Sequence, residues 1–337
     1  MTRPRLLDFA YGYMPAQIVY AAAELRLADA LAEGPRTSAE LAEKTGTHAP
    51  SLYRLLRALA SMGVVAQREA DLFELTSEGE PLRSDHPASV RGLIRLFCGP
   101  EVWRSWGDLA GTVRSGEPAW DRLIGMSSFE FMAGHEELAE TFNRAMAEHT
   151  REAAPGVIEA YDFGRFGTIA DLGGGDGTLL AAILRAVPDA RGVLVDLPAG
   201  LAGAGRTLAE AGVAGRCEVV PGDFFESVPD GADAYLLKSV IHDWNDERAA
   251  AVLRTCRKAM RPDARLILVE FVMPPVIGPE NAGNIMSDVN MMVVVDGRER
   301  TEREFRDLLE SAGFRLTFIT AAPTSSGYRV IEAAPAD

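Results

Sequence analysis

Apolar positions along the chain fall into three regimes. Between residues 6 and 32, Leu6, Phe9, Tyr13, Ile18, Val19, Leu25 and Leu31 recur at helical spacing among many alanines. A helical segment this apolar would expose a sticky patch, so burial against a second subunit is expected ahead of a place in its own chain's core. From Thr37 to Glu80 the pattern shortens. Thr37 and Glu40 make a capping box that opens a helix, and Gly46 ends it. A second helix, roughly 50 to 61, carries Leu52, Leu55, Leu56 and Leu59 and stops at Gly63; VVAQREADLFELT then reads as a short hairpin. Helix, turn, helix and wing is the pattern of a winged helix, which alone would point to a DNA-binding regulator.

Residues 86 to 160 read as mostly helical and gather Trp103, Trp106, Trp120, Phe129, Phe131 and Phe142, expected to fill a core rather than line a ligand. Beyond Gly167 the period changes to that of strands. TIADLG, GVLVDLP, CEVVPGD, DAYLLKSVI, ARLILVEFV, FRLTFIT and YRVIEAA alternate with helical patterns, except that only APTSSG separates the last two. The expected fold is α/β: a doubly wound, mainly parallel sheet closed at one edge by an antiparallel hairpin, behind a mainly helical N-terminal region.

At 337 residues the chain calls for two domains. A formal charge of −15 argues against a nucleic-acid partner, which needs a basic footprint, and so weakens the regulator reading. No run of about 18 apolar residues is present to span a membrane, and the first residues lack a signal-peptide core. Cys98, Cys217 and Cys256 are odd in number and far apart, encoding neither a disulfide framework nor a zinc site. A cytoplasmic protein without metal is expected.

IADLGGGDGTLLAAIL places Gly173, Gly174, Gly175 and Gly177 between a strand and a helix. Such a loop lets backbone come close to a ligand at the carboxyl end of the sheet, where open α/β folds bind. The dinucleotide spacing G-x-G-x-x-G fails from every start in this loop. What is present is acid-x-G-x-G-x-G from Asp171, a sign of S-adenosylmethionine. Asp196 closes the next strand, suited to the ribose hydroxyls; Asp223 closes the third, suited to the adenine amine, with Phe224 as an apolar cover. A lone Asp at a strand end is more often a helix cap, but three successive strands ending this way make that unconvincing.

The fourth strand runs into LLKSVIHDWND, so Lys238 and His242 are expected to face the cofactor side. Of five histidines, His242 alone sits just past a sheet strand beside the glycine loop, where an imidazole would serve as general base toward a phenol. Glu270, ending an otherwise apolar fifth strand, is the expected holder of one ring nitrogen. Glu299, in DGRERT, is a second candidate that reads equally well as a first-turn helix acid.

These stretches together resemble the small-molecule O-methyltransferases of the plant caffeic acid type and their bacterial natural-product relatives. ADLGGGDGT, VLVDLP, GDFF, LLKSVIHDWND, LVEFVMPP, SDVNMMVVVDGRERTEREF and AGF carry the resemblance, which spans essentially the whole chain. It implies a Rossmann-like seven-stranded methyltransferase sheet, with Gly173, Asp196, Asp223, Phe224 and Lys238 contacting S-adenosylmethionine. It implies His242 as the base, Glu270 and Glu299 flanking it, and Phe142, Met146, Asn290 and Met291 around an aromatic acceptor, with Phe97 and Cys98 less firmly placed. It also implies a homodimer formed by a winged-helix-like region. The implied domains are 1–95 for dimerisation, 96–160 as a helical connector contributing to the acceptor pocket, and 161–337 for catalysis. Cys98 and Gly99 stand where plant relatives often carry polar groups, so a bacterial natural-product phenol is expected over a phenylpropanoid. Two alternatives share the same cofactor site: non-methylating chemistry (hydroxylation, decarboxylation or a pericyclic step), and methylation of nitrogen or carbon.

Overall fold

The computed structural model describes residues 5–336, which form two compact units. The first runs up to Trp103 and takes back Glu140–His149; the second is Arg104–Ala139 with everything from Thr150 onward. The segment 96–160, expected as a connector, is thus shared between the two units.

In the first unit, helices Arg5–Ala10, Tyr13–Glu24 and Leu27–Leu31 precede Ser38–Thr45 and Ala49–Ser61, and then a two-stranded antiparallel hairpin, β1 (Val65–Glu69) and β2 (Leu72–Leu75). The capping box forms as read: Oγ1 of Thr37 accepts from the Glu40 N–H at 3.3 Å, and a Glu40 carboxylate oxygen accepts from the Thr37 N–H at 2.7 Å. Leu52, Leu56 and Leu59 turn one face of Ala49–Ser61 onto Leu27, Leu41, Val65 and Phe73. The apolar N-terminal segment divides in two. Ala22, Ala23, Leu27, Ala28 and Leu31 are core residues of their own unit, against the expectation for the whole segment. Arg5–Ala10 buries nothing, and Leu6 and Phe9 are 76% and 66% exposed. The small alanines let helix Tyr13–Glu24 pack closely, whereas the bulky Leu6 and Phe9 of the first helix stay exposed.

The second unit is built on seven strands. They are β3 (Thr168–Leu172), β4 (Arg191–Asp196), β5 (Cys217–Pro221), β6 (Ala234–Lys238), β7 (Arg265–Glu270), β10 (Phe314–Ile319) and β11 (Arg329–Pro335). Two short strands, β8 (Val272–Met273) and β9 (Arg300–Thr301), pair in parallel beside the sheet. The order is β10-β11-β7-β6-β3-β4-β5, parallel from β5 to β7, with β11 antiparallel to β7 and β10 forming the edge hairpin. All seven strands were legible from the sequence; the two-residue β8 and β9 are too short to leave a pattern. Both faces of the sheet are covered, so β6 reads AYLLK, with Tyr235 and Leu237 in one core and Leu236 in the other. The chain leaves β3 toward β4 and β5, then returns to β6 on the other side. That reversal opens a crevice at the carboxyl end of β3.

Phe73 is fully buried and meets Tyr53 edge to face at 6.0 Å. Phe73→Ala is expected to cost the first unit about 3–5 kcal/mol. Denaturant unfolding followed by circular dichroism measures this; a shift under about 1 kcal/mol would show that the site collapses freely.

Candidate active site

Five strand ends converge on the crevice. After β3, Gly173, Gly175 and Gly177 adopt φ of +69°, +59° and +79°, a backbone that residues with a Cβ rarely tolerate. The loop does not present a row of free amides. Gly173 N–H donates to the Val195 carbonyl at 2.8 Å, and Gly175 N–H to Oδ2 of Asp196 at 2.8 Å. At the start of the following helix, Thr178–Ala186, Oδ1 of Asp176 accepts from Thr178 N–H at 3.1 Å. The amides of Gly173 and Gly175 are thus committed within the chain, and the glycines serve close approach. Asp196 also accepts from Leu197 N–H at 2.7 Å, so its carboxylate is braced by two backbone donors with lone pairs to spare. Asp223 is held in a turn by Phe225 N–H at 2.8 Å.

Deeper in, Asp171 is buried and its Oδ2 has no hydrogen-bond partner. Burial, with Asp196 nearby, pushes its pKa up to about 7. Burial lowers that of Lys238 to about 8, against the pull of Glu270 and Asp171. Lys238 Nζ donates to Oγ of Ser239 at 3.1 Å, and Ser239 Oγ and the Tyr328 hydroxyl lie 2.8 Å apart. Ser239 has φ of +53°, a strained turn that carries the chain from β6 toward His242.

His242 lies in a one-turn segment, Ile241–Asp243, and is buried. Its Nδ1 is 2.9 Å from Oε1 of Glu299; a carboxylate only accepts, so the ring nitrogen carries the hydrogen. Glu299 is fixed in turn. Oγ of Ser287 donates to the same Oε1 at 2.7 Å, and the Glu299 N–H donates to Asp288 at 2.9 Å. Glu270, the expected holder of the ring, stands back at 3.8 Å from Nδ1. Its Oε1 accepts from the N–H groups of Val240 and Ile241 at 3.2 and 2.9 Å, so it shapes the backbone before the histidine. The helix-acid reading of Glu299 fails because the helix Glu302–Ser311 is capped by Thr301, beyond it. Burial disfavours a charged imidazole, but Glu299, Glu270 and Asp243 outweigh it and raise the His242 pKa to about 10. Nε2 remains the nitrogen open to a reactant, with Asp243 at 3.6 Å, beyond hydrogen-bond reach.

The donor atoms of His242, Glu270 and Glu299 lie within 4.8 Å of one another, and one oxygen of each glutamate is buried without a partner. Geometrically this trio, which the sequence reading grouped for proton transfer, could also hold a divalent ion.

The family of O-methyltransferase domains matches residues 106–315, and the O-methyltransferase dimerisation domain matches residues 7–82. The chain belongs to the S-adenosylmethionine-dependent O-methyltransferases. Phenazine O-methyltransferase PhzM of Lysobacter antibioticus is 42% identical over 98% of this chain and 95% of its own length. The crystal structure of LaPhzM superposes with a TM-score of 0.94 over 98% of both chains at 42% identity. An 8-amino-8-demethylriboflavin N,N-dimethyltransferase of Streptomyces davaonensis is 41% identical over 97% of this chain and 94% of its own. The O-methyltransferase NcsB1, solved with S-adenosylmethionine and 2-hydroxy-5-methyl naphthoic acid, gives a TM-score of 0.80 at 34% identity, covering 95% and 96% of the two chains.

The crevice of this methyltransferase suits that cofactor on its own terms. Asp171, Asp196 and Asp223 bring carboxyl groups suited to a ligand cationic at sulfur and nitrogen, and the oxygen of Asp171 that has no partner among the described residues suits a donor. Gly173, Asp196, Asp223, Phe224 and Lys238 follow or end β3 to β6 in the second unit, and Asn290 and Met291 lie on the helix Ala282–Val294, whose Ser287 reaches Glu299. Phe142 and Met146 belong to the first unit, with Phe97 and Cys98. Sequence reasoning missed Arg300, which is fully buried. Its guanidinium donates to the carbonyls of Ile241 at 3.0 Å and Trp244 at 2.8 Å and to Asp246 at 2.9 Å, clamping the segment that bears His242. GRERT was read for its glutamate, and nothing in the spacing marked the arginine as internal.

Gly297 sets the distance between the two halves of this cluster. A Cβ there would collide with the carbonyl of His242, which accepts from Arg298 N–H at 2.8 Å. Gly297→Ala is expected to push Glu299 off the ring and cut turnover about 10²-fold while S-adenosylmethionine binds as before. Single-turnover kinetics and calorimetry measure the two; wild-type turnover would show that the loop yields without consequence.

Proposed function

We propose that this enzyme methylates a hydroxyl of an aromatic natural-product intermediate as a homodimer in the cytoplasm, with His242 managing the acceptor's proton. The single observation that carries the reading is the His242–Glu299 pair, its Nδ1 committed at 2.9 Å and its Nε2 left for a reactant. Bound S-adenosylmethionine supplies an electrophilic methyl on its sulfonium. Asp196, Asp223 and Phe224 hold the nucleoside, and Gly173 and Lys238 adjoin the remainder. Asn290 and Met291 lie against the acceptor, and much of the acceleration comes from holding its oxygen in near-attack geometry.

The proton ledger is unusual. With a pKa near 10, His242 is an imidazolium in the resting enzyme at neutral pH. A phenol has a similar pKa, so exchange between the hydroxyl and Nε2 is close to balanced. Neutral imidazole with phenol, and imidazolium with phenolate, hold the same number of protons and react through one transition state. Glu299 and Glu270 stabilise the imidazolium partner of a phenolate. The acid limb of kcat/KM is therefore expected to follow the acceptor's own pKa, moving to lower pH for a more acidic phenol. The alkaline limb reports loss of the His242 proton and falls near pH 10. His242→Gln should lower turnover by about 10²–10⁴ and erase the alkaline limb with S-adenosylmethionine affinity intact. Wild-type turnover by that variant on a phenol of ordinary pKa would remove His242 from the chemistry. Turnover should also survive EDTA; activity lost to it and restored by magnesium or zinc would make the His242–Glu270–Glu299 trio a metal centre instead.

The exposed Phe9 lies within the region matched as a dimerisation domain and the exposed Leu6 borders it, which supports a second copy as their cover. Leu6→Asp with Phe9→Asp touches no core residue of this chain and is expected to shift the protein toward monomer in light scattering. An unchanged dimer would place the interface elsewhere.

A further inference from the structure

Trp106 and Asn290 meet beside the residues that fix Glu299. Ser287, whose hydroxyl donates to Glu299, and Asn290 are three positions apart on the helix Ala282–Val294 and so are neighbours along its surface. The indole Nε1–H of Trp106 donates to Oδ1 of Asn290 at 2.9 Å. An indole nitrogen is a donor and never an acceptor. The amide of Asn290 is therefore locked, oxygen toward Trp106 and NH₂ away. Both side chains are half-buried, so the lock is partly shielded from competing water. On the side away from Trp106, Asn290 offers a ligand its N–H groups, while the second lone pair of Oδ1 stays at the Trp106 end.

Resting on the reading that Asn290 lies against the acceptor beside His242, the geometry points to an acceptor that carries a hydrogen-bond-accepting group next to its reactive hydroxyl. A carboxylate, a ketone or quinone oxygen, or a ring nitrogen meets that requirement. A primary aromatic amine in the same place sets N–H against N–H and leaves both unpaired on desolvation. Sites built to hydrogen-bond one substrate group reject the analogue lacking it far more strongly than apolar pockets reject a change of size. Trp106 touches no reacting atom in this scheme. It is a positioning residue that sets specificity by deciding which end of Asn290 faces the acceptor.

The test uses the full-length enzyme with S-adenosylmethionine and pairs of hydroxylated mono- and bicyclic aromatics. Members of a pair differ only in the group beside the hydroxyl: an acetyl in one, an amine in the other. The wild-type enzyme is expected to favour the acetyl member by at least about tenfold in kcat/KM. In Trp106→Phe the amide is free to turn, and the ratio should fall toward one while the alkaline limb assigned to His242 stays in place. In Asn290→Asp the side chain only accepts, and the preference should move toward the amine. Asn290→Asp alone decides the matter if Trp106→Phe fails to fold by circular dichroism. Methylation of both members with the same ratio in wild type and both variants would overturn the inference and leave the methyltransferase reading standing. A wild-type enzyme that methylates no phenol of the panel at any pH would overturn the acceptor reading beneath it as well.

Discussion

Burying a histidine among carboxylates sets the terms for everything around this site. Glu270 and Glu299 are almost wholly shielded from water, and a buried carboxylate without compensation would cost the fold several kcal/mol. The compensation is spread over four stretches of chain. His242 and Ser287 serve Glu299, the Val240 and Ile241 amides serve Glu270, and Arg300 ties the intervening loop to Asp246. Removing one partner strands a charge, so these residues are better understood as one object than as a base with helpers. The sheet's role is to deliver them: β6 and β7 are paired in parallel, and their carboxyl ends bring residues 238 to 243 beside Glu270.

The balance of charge within that object follows from the same constraint. Desolvation alone would leave His242 neutral, and desolvation alone would leave Glu270 protonated. Together they share protons, with His242 pushed up to about 10 and Glu270 up to about 7. A neutral imidazole waiting for a phenol would need fewer carboxylates. The cluster instead holds His242 as an imidazolium, the charge that a phenolate placed beside it would need.

How far the sequence disclosed this differs by kind of feature. The seven strands were legible because each is a run of apolar residues bounded by turn signals and set off by helical spacing. The positions of Asp196, Asp223 and His242 past the ends of parallel strands on one side of the sheet were legible for the same reason. Pairwise geometry was not. Whether Glu270 or Glu299 touches the ring depends on the loop around Gly297, whose contact with the His242 carbonyl has no local signature. The split of the N-terminal helices was hidden too, because hydrophobic spacing tells that a face is buried without telling by what. Arg300 reads as a surface charge in a charged stretch, and only the carbonyls it meets make it an internal strut.

Placement along the chain has one further consequence. The glycine loop, Asp196 and Asp223 occupy β3 to β5 and the turns after them, while the proton-handling residues lie on β6, β7 and the 297–300 loop. The helix Ala282–Val294 contributes to the latter through Ser287 and Asp288 and carries Asn290 and Met291 as well. On the proposed roles, methyl supply and nucleophile handling are thus separable in sequence. An amine nucleophile with a free lone pair has no need of a base before attack, so changes confined to the second group can redirect the enzyme to nitrogen without disturbing the first. A relative that methylates an amino group while sharing two-fifths of this sequence is what such a division permits. In this chain the second group holds His242 at 2.9 Å from Glu299 with Glu270 behind it, the arrangement on which the proposed preference for a hydroxyl rests, whereas the fold is common to both kinds of nucleophile.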